Sequence, residues 1–557
     1  MRKRVERNGV TFQAIAGTHA VFFGFDLEPE ARAGCLGLAI HRTDHTEHEQ
    51  YWLSGFKTFQ SVVPNPDPAT IYPSLFHPVQ SFYWGDYTAK PNHSYTYKVV
   101  PRYGQPKSLQ NRPGVWASLR LTTGNPEAGT HGVYFNRGVA ASQAYAFKFG
   151  LPPHLLPPKK EKEAMAWLSR GLMEALVAFI GQADSPQFAL RAAVYQFTDP
   201  DVLAAFHDAH VRGADVQIVY HDTGGEGAAN DAATRDARIR HLLIPRTKAA
   251  NIAHNKFVVL CSKDPDGTLR PVSVWTGSTN MSEGGIFGHS NVGHAVRDPD
   301  VAARYLDYWT QLSGNPGQPL LQQWIDSQNP FSEAGAQAGP GIHAVFSPRS
   351  ALGPLAWYAK RFGTEPFTAI TLPFGMSSII EKAIDTTGDV LRFVLLDTAD
   401  DHQAVWAASP KIQVAVGTLA GPDSLARWAR ESLSGLNVHA VYLHTKILLV
   451  DPLSADPTVI SGSANFSEGS TTGNDENMLV IRGDTDVADV YFTEYARIFN
   501  HFYARYWASR LAHPGTPEDL ARSFLRETDD WQAPYFVEGN PKRAQRILYA
   551  TEVQGNE

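Results

Sequence analysis

Cysteine is scarce in this 557-residue sequence, which has only Cys35 and Cys261. Two cysteines so far apart in the chain cannot form a disulfide framework, and by themselves they cannot supply a thiolate metal site. Long apolar runs are missing as well, because no unbroken stretch reaches the roughly 18 residues of a membrane-spanning helix. The sequence therefore predicts no transmembrane helix and limits any membrane contact to a peripheral one.

An excess of positive charge is also missing, since the formal net charge is −7. A chain coated in phosphate-binding cations would be basic, so the charge argues mildly against general nucleic-acid binding. The N-terminal "MRKRVER" has the basic start of a signal peptide, but Asn8, Gln13 and His19 interrupt the apolar run that should follow it. We interpret this segment as mature protein and expect a cytoplasmic location.

The apolar and charged fractions, 43% and 19%, are ordinary for a folded protein. The chain is longer than one hydrophobic core usually organises, so we expect two or three domains. Residues 1–125 contain short alternating apolar runs separated by turn residues, which is typical of a β-sandwich. We predict an N-terminal all-β sandwich module, fibronectin type III-like, which packs on the rest or docks an unknown protein partner.

One loop of this predicted module is rich in histidine. Its residues His41, Asp44, His45 and His48 have the composition of a metal cluster. Short His-rich matches are common by chance, so we interpret the stretch as a solvated polar loop. We expect no metal and no cofactor.

After about residue 125 the pattern changes to strands that alternate with helices, which predicts an α/β fold. Residues 190–222 and 367–397 both read as strand, helix and strand, and each stretch ends in an acid. A Gly-, Pro- and Gln-rich stretch separates the two copies. We predict a duplicated region with lobes at residues 126–335 and 336–510, followed by a C-terminal helical extension at residues 511–557.

Each predicted lobe contains the same short motif. A His stands two residues before a Lys at the start of an apolar strand, and Gly-Ser-x-Asn follows the next strand. Residues two apart on a strand face the same way, so each His and Lys point together into one cleft. Gly lets the backbone approach a ligand, and Ser and Asn donate to anionic oxygens. The two sets are His254, Lys256, Gly277, Ser278 and Asn280, and His444, Lys446, Gly462, Ser463 and Asn465.

These motifs resemble those of the phospholipase D superfamily, H-x-K-x4-D followed by G-S-x-N, over roughly residues 130–510. The resemblance implies two α/β/α sandwich lobes arranged as a pseudo-dimer. It implies a phosphodiesterase that acts by metal-independent double displacement through a phosphohistidine, in which the lysines stabilise charge and the histidines do the chemistry.

The first copy departs from the family motif, because Cys261 stands where the second copy has Asp451. That acid generally supports local structure in relatives, so we expect Cys261 to be a buried packing residue. A reactive thiol is the competing interpretation, and the apolar strand that precedes Cys261 argues against it.

A second asymmetry distinguishes the two lobes. Eleven residues after Asn465 stands Glu476, whereas eleven residues after Asn280 stands Asn291. The resemblance implies that each of these residues braces the His of the other lobe, so Glu476 would contact His254 and Asn291 would contact His444.

A carboxylate stabilises the cationic adduct of an imidazole that has attacked phosphorus, whereas an amide only orients the ring. We therefore interpret His254 as the nucleophile and His444 as the general acid, and the reverse assignment stays open. The predicted catalytic residues are His254, Lys256, Asn280, His444, Lys446, Asn465 and Glu476, and the predicted substrate-binding residues are Ser278, Ser463 and Asn291.

The motif identifies a phosphodiester but not its substituents. Hydrolysis of a phospholipid head group is slightly favoured by the acidic total charge. Cleavage of DNA or RNA is the alternative, because Arg235, Arg238, Arg240, Arg246 and Lys248 precede the first motif and could grip a nucleic-acid backbone. A non-catalytic binding module is a third possibility, against which the two intact His-Lys pairs argue. We interpret the stretch "HDTGGEGAAND", from His221, as a mobile loop over the cleft.

Overall fold

The computed structural model describes residues 1–55, 57–67, 70–138, 148–335, 338–386, 390–398, 409–417, 443–511 and 523–550, together with positions 145, 388, 405 and 406. Within these ranges the strands form four sheets. Two are antiparallel sheets in the N-terminal region, and two are mixed sheets of seven strands each.

The N-terminal region is built from two antiparallel sheets. Its elements are β1 (Arg2–Arg7), β2 (Val10–Ala16), β3 (Val21–Leu27), α1 (Pro29–Arg32), β4 (Gly37–Asp44), β5 (Glu49–Trp52), β6 (Tyr83–Asp86), β7 (Ser94–Gln105), β8 (Ser108–Gln110) and β9 (Ala117–Thr122). The strand orders are β1-β2-β3-β6 and β5-β4-β7-β8, with β9 paired to β7. Side chains from both sheets, such as Phe12, Phe23, Ile40 and Tyr97, share one hydrophobic cluster. The likeness to a fibronectin type III domain stays a prediction.

The first mixed sheet contains β10 (His131–Phe135), β11 (Phe188–Val194), β12 (Asp215–His221), β13 (Leu243–Arg246), β14 (Lys256–Lys263), β15 (Leu269–Gly277) and β16 (Val292–Val296). The second contains β17 (Gly341–Ser347), β18 (Phe367–Leu372), β19 (Leu391–Leu396), β20 (Ile412–Val416), β21 (Ile447–Val450), β22 (Thr458–Gly462) and β23 (Glu476–Arg482). Their strand orders are β10-β16-β15-β14-β11-β12-β13 and β17-β23-β22-β21-β18-β19-β20. The two orders match strand for strand, which is the relation expected of an internal duplication.

Helices cover the two mixed sheets. They are α2 (Pro158–Ser169), α3 (Leu172–Gly181), α4 (Pro200–Val211), α5 (Gly224–Asp236), α6 (Pro299–Ser313), α7 (Gln318–Gln328), α8 (Gly353–Thr364), α9 (Ser378–Asp385), α10 (Glu468–Thr472), α11 (Thr485–Leu511) and α12 (Pro541–Ala550). No single helix in the described ranges is both long and apolar enough to span a bilayer. The pair α2 and α3 meets that test only when counted together across an 86° bend.

One hydrophobic cluster joins the two halves. It includes Phe257 on β14 and Leu449 on β21, and it also takes in aromatic side chains of α6 and α11, such as Tyr305 and Tyr491. Two short backbone bridges cross between the halves, one from Ala253 to Asp475 and one from Ser290 to Leu443. The halves therefore form one body, and each bridge adjoins one of the predicted catalytic histidines.

The predicted mobile loop after His221 is wrong, because residues Gly224–Asp236 form the helix α5. The side chain of Asn230, on this helix, is fully buried and donates to the main-chain oxygens of Tyr195 and His221. It also accepts from the main-chain nitrogen of Phe197. These contacts fix the segment, although its three glycines suggested mobility.

The C-terminal part returns to the N-terminal sheets. Trp531 and Tyr535 belong to the hydrophobic cluster of those sheets, and the indole of Trp531 donates to the main-chain oxygen of Cys35 over 2.8 Å. Further on, the ring of Tyr549 on α12 meets Phe22 on β3 edge to face, with the centroids 4.8 Å apart. The predicted C-terminal extension thus closes the N-terminal core, while residues 512–522 and 551–557 lie outside the described part.

We expect Gly24→Ala to destabilise this junction. A Cβ at residue 24 would lie 1.8 Å from the main-chain oxygen of Tyr549, and backbone atoms cannot move aside as a flexible side chain can. Overpacking of this kind costs about 1–3 kcal/mol, so thermal unfolding monitored by circular dichroism should show a lower midpoint.

The matched control is Gly181→Ala, because a Cβ there meets no atom within 4 Å. This change lies in a helix and should leave stability unchanged or raise it by up to about 1 kcal/mol. An equal midpoint for the two variants would contradict the close packing of α12 on β3.

Candidate active site

The two His-Lys pairs lie at equivalent positions in the two mixed sheets. His254 lies two residues before the start of β14, and its main-chain nitrogen donates to the main-chain oxygen of Asp475 over 2.9 Å. His444 lies just before β21, and its main-chain nitrogen donates to the oxygen of Ser290 over 3.2 Å. Each histidine is thus anchored by the backbone of the opposite half.

The ring of each histidine is held by a side chain from the opposite half. Nδ1 of His254 lies 2.9 Å from both carboxylate oxygens of Glu476. Nδ1 of His444 lies 2.8 Å from the amide oxygen of Asn291. Since each Nδ1 faces an acceptor, Nδ1 carries the hydrogen and the lone pair of Nε2 is left for a reaction. These contacts join the residues that the resemblance paired, Glu476 with His254 and Asn291 with His444.

Each lysine makes the same contact, a hydrogen bond to the main chain of the histidine two residues before it. Nζ of Lys256 donates to the main-chain oxygen of His254 over 2.7 Å, and Nζ of Lys446 does so to that of His444 over 2.7 Å. Burial lowers the pKa of Lys256 to about 7. Burial and the nearby charge of Lys256 hold the pKa of Lys446 well below its ordinary value. Protonation of Lys446 is therefore opposed both by its burial and by the charge of Lys256.

Both imidazoles are neutral at neutral pH. Burial lowers the pKa of His254 to about 4, against the opposing effect of the Glu476 carboxylate. Burial also holds the pKa of His444 well below its usual range, and the charges of Lys446 and Lys256 add to this effect. Burial alone would raise the pKa of Glu476, but His254 and Lys256 keep it below its ordinary value. A neutral Nε2 is the form that can attack an electrophile.

The serines and glycines of the two Gly-Ser-x-Asn turns serve the fold. The hydroxyl of Ser278 donates to the amide oxygen of Asn291 over 2.8 Å, and that of Ser463 accepts from the main-chain nitrogen of Asn477 over 2.9 Å. Neither serine is exposed. A Cβ at Gly277 would lie 2.2 Å from the main-chain oxygen of Val292. Glycine here therefore lets two strands approach each other closely, whereas the sequence had suggested the close approach of a ligand.

The asparagines of the same turns keep one polar atom without a partner. Nδ2 of Asn280 donates to Oε1 of Gln196 over 2.9 Å. The Oδ1 atoms of Asn280 and Asn465 are buried and have no hydrogen-bond partner in the described structure. An amide of this kind can turn either its oxygen or its NH2 group toward a ligand.

Sequence reasoning missed the residues that hold Asn291 in place. The amide oxygen of Asn136, which directly follows β10, accepts from the main-chain nitrogen of Asn291 over 2.9 Å. Its Nδ2 donates to the main-chain oxygens of Ile286 and His289, and its own main-chain oxygen accepts from Arg497. A single Asn after a strand gives no signal in the sequence, because its partners lie 150 or more residues away.

Arg246 is not part of an exposed basic patch. It is buried, and its Nε lies 2.8 Å from the carboxylate of Asp475, next to Glu476. Arg240 forms an ion pair with Asp231 over 3.0 Å. Of the five basic residues before the first motif, only Arg235, Arg238 and Lys248 are exposed. Arg246 is therefore not available to bind a nucleic-acid backbone, as the sequence had suggested.

Cys261 and Asp451, which occupy the equivalent position in the two copies of the motif, both have structural contacts. Cys261 is fully buried, and burial raises the pKa of its thiol to about 11, as expected of a packing residue. Oδ1 of Asp451 accepts from the main-chain nitrogen of Phe367 over 2.8 Å, at the start of β18. Neither residue contacts the histidines.

The four residues of the predicted polar loop do not converge. His41 packs its ring against Trp52, and Nε2 of His45 lies 2.7 Å from the hydroxyl of Thr96. Asp44 instead pairs with His93 over 2.9 Å. The carboxylate of Glu47 lies near this pair and forms an ion pair with Lys90.

Acid should weaken the fold through His254. Its pKa is 6.5 in the unfolded chain and about 4 in the fold, so between these values the unfolded chain binds a proton that the folded chain does not. The stability contributed by the neutral ring is complete above the unfolded pKa and is lost as the pH falls through this window. From pH 7 to pH 5 this group alone should lower the free energy of unfolding by about 2 kcal/mol.

Urea unfolding of the wild type and of His254→Gln at both pH values checks this expectation. The variant lacks the titrating group, so the wild type should lose about 2 kcal/mol more than the variant on acidification. Parallel pH dependence of the two proteins would show that His254 is not buried in its neutral form.

Comparison with known families gives one model that matches the chain in two segments, one in each half. The family model for "Cardiolipin synthase, PLD-like domain" matches residues 176–312 and 411–502. These two segments contain the two His-Lys pairs, both Gly-Ser-x-Asn turns, Asn291 and Glu476. A search of curated protein sequences gave no significant match.

Three solved structures are similar to parts of this chain, each with a TM-score below 0.5. Polyphosphate kinase from Porphyromonas gingivalis is 12% identical, with a TM-score of 0.37 over 56% of this chain and 43% of that one, so the match spans less than half of the kinase. Nuc, a phospholipase D family member from Salmonella typhimurium, is 25% identical, with a TM-score of 0.21 over 26% of this chain and 86% of that one. Phosphatidylserine synthase from Haemophilus influenzae is 9% identical, with a TM-score of 0.39 over 64% and 94%.

Proposed function

We propose that this chain is a phosphodiesterase-type enzyme of the phospholipase D superfamily, and that it hydrolyses a phosphodiester by double displacement at His254 and His444. One observation carries the proposal. Each histidine has its Nδ1 fixed by an acceptor from the opposite half, and each is accompanied by a buried lysine. This arrangement presents two Nε2 atoms and two cations to one anionic group.

In the first step, Nε2 of His254 attacks phosphorus and forms a P–N bond while the bond to the leaving oxygen breaks. The proton on Nε2 of His444 passes to that oxygen and releases an alcohol. His444 can carry this proton because the negative charge of the bound diester raises its pKa, against the lowering that burial causes. Lys256 and Lys446 stabilise the charge on the oxygens of the phosphoryl group.

In the second step, His444 is neutral and accepts a proton from water. The water oxygen attacks phosphorus, the P–N bond breaks, and His254 recovers its neutral form. The products are the alcohol and a phosphate monoester. Glu476 supports the assignment of His254 as nucleophile, because its carboxylate stabilises the positive ring of the adduct, and the neutral amide of Asn291 offers His444 no such charge.

A trapped intermediate tests the assignment. After acid-free quenching with a ³²P-labelled diester, peptide mapping should find phosphohistidine at His254. With a nitrophenyl ester, whose leaving group needs no protonation, the label should accumulate in His444→Ala, which cannot activate water. His254→Ala should carry no label and lose at least about a thousandfold in activity. Label on His444 would establish the reverse order of roles, and no label on either ring would contradict double displacement.

The substrate that we favour is a phospholipid, cleaved at its head group. The net charge of −7 and the buried ion pair of Arg246 leave little positive surface for a nucleic-acid backbone. An exposed aromatic ring, Phe374, lies at the second His-Lys pair. A nuclease remains the alternative function, because Arg235, Arg238 and Lys248 are exposed before the first motif.

A substrate panel separates these functions. Phosphatidylcholine vesicles should be hydrolysed at least about tenfold faster than single- or double-stranded DNA per diester, with His444→Ala as the blank. The activity should persist in EDTA, because lysines stabilise the charge in this mechanism. Faster DNA cleavage would establish the nuclease, loss of activity in EDTA would contradict the mechanism, and inactivity on all substrates would favour a binding module.

A further inference from the structure

Two aromatic rings lie at the two His-Lys pairs, one at each pair. The ring of Tyr195 lies edge on to His254, with centroids 4.8 Å apart, and Nζ of Lys256 lies 5.3 Å from the same ring. The ring of Phe374 lies edge on to His444, with centroids 5.5 Å apart, and Nζ of Lys446 lies 5.5 Å from it. Neither ring belongs to the motif from which the site is recognised.

The two rings reach these positions by different backbone paths. Tyr195 follows directly on β11, which ends at Val194, whereas Phe374 stands two residues after the end of β18 at Leu372. Phe374 has φ of 63°, and Gly375 after it has φ of 86°. This left-handed turn places the ring against His444, although Phe374 stands one residue further from the end of its strand than Tyr195 does.

The conformation of Phe374 is costly by itself. A bulky residue at positive φ is disfavoured by about 1–2 kcal/mol relative to ordinary backbone. The side chain is also 51% exposed, so it gains little from burial in the core. Strain of this kind next to a reactive group points to a role in function, since the fold does not require the ring there.

We propose that Phe374 is a specificity-determining residue that packs against the ester substituent on the His444 side of the bound phosphorus. Tyr195 is the matching wall on the His254 side. The inference rests on the proposed function, in which the substituent on the His444 side is the leaving alcohol. An exposed ring at this place recognises carbon-rich substituents, because apolar area covered by them leaves water.

The wall at Tyr195 differs in two ways from the one at Phe374. Tyr195 is half-buried, and its main-chain oxygen accepts from the side chain of Asn230 on α5. It is therefore a fixed wall, whereas more than half of Phe374 is open to a substituent. We accordingly assign most of the discrimination among substituents to Phe374.

Two small diesters of equal charge test this assignment. Calorimetric titration gives the Kd of dimethyl phosphate and of dibutyl phosphate, and ³¹P NMR of each sample establishes that the probe is intact. The wild type should bind dibutyl phosphate at least about tenfold more tightly, the effect of burying about two CH2 groups. Phe374→Ala should reduce this ratio to about twofold, and Phe374→Leu should keep most of it.

The comparison isolates the ring, because Phe and Ala both have a Cβ and carry nearly the same backbone cost at positive φ. Phe76→Ala is the matched control, since Phe76 is a 59% exposed phenylalanine of the N-terminal region and should leave the ratio unchanged. Tyr195→Phe should also keep the ratio, as it retains the ring. Circular dichroism of each variant establishes that it is folded.

The outcomes separate this inference from the proposed function. If both probes bind the wild type and Phe374→Ala leaves their ratio unchanged, this inference fails and the proposed function stands. If neither probe binds the wild type, both fail. A thymidine dinucleotide serves as a third probe: if its binding depends more strongly on Phe374 than that of dibutyl phosphate, the ring stacks on bases and the assignment to a carbon-rich alcohol is overturned.

Discussion

Each reacting imidazole depends on a group from the other half of the molecule. Glu476 lies on β23 and holds His254, while Asn291 adjoins β16 and holds His444. Backbone bonds run in the same sense, from the two histidine nitrogens to Asp475 and Ser290. A site built in this way exists only while the two sheets keep their relative position, and the shared core of α6 and α11 maintains that position.

The electrostatics of the site follow from the same burial. Four basic side chains are withdrawn from water close to the carboxylate of Glu476, and burial depresses the pKa values of all four. A phosphodiester supplies negative charge where the protein has too little of it. In the proposed function, binding of this anion and protonation of the basic side chains therefore stabilise each other, because a buried site screens charge poorly.

Much of this site could be predicted because it follows from local rules. The His and Lys of the first motif do lie together, although His254 precedes β14 and strand alternation therefore does not explain it. Equal spacing from the Gly-Ser-x-Asn turn singles out Glu476 and Asn291. The strand orders of the two mixed sheets match, as the repeated pattern of strand, helix and strand suggested. Roles of individual residues in catalysis remain predictions, since contacts alone do not order the two steps.

What could not be predicted depends on distant partners or on backbone conformation. Arg246 looked like a surface cation until Asp475, 229 residues away, proved to be its partner. The Gly-rich run after His221 looked like a loop, yet the buried Asn230 fixes it as a helix. The positive φ of Phe374 has no counterpart in the sequence, because only the folded turn selects that conformation.

The C-terminal segment packs on the first two sheets, so the core of the N-terminal region is complete only after the end of the chain has been synthesised. Trp531 and Tyr535, which complete the core around Phe82, leave the ribosome more than 400 residues after the strands that they cover. Until then the N-terminal sheets expose the aromatic surface that Trp531 and Tyr535 cover in the finished fold. Vectorial folding from the N-terminus, which is usual for multidomain chains, is therefore incomplete here, and a nascent chain needs protection from association until translation ends.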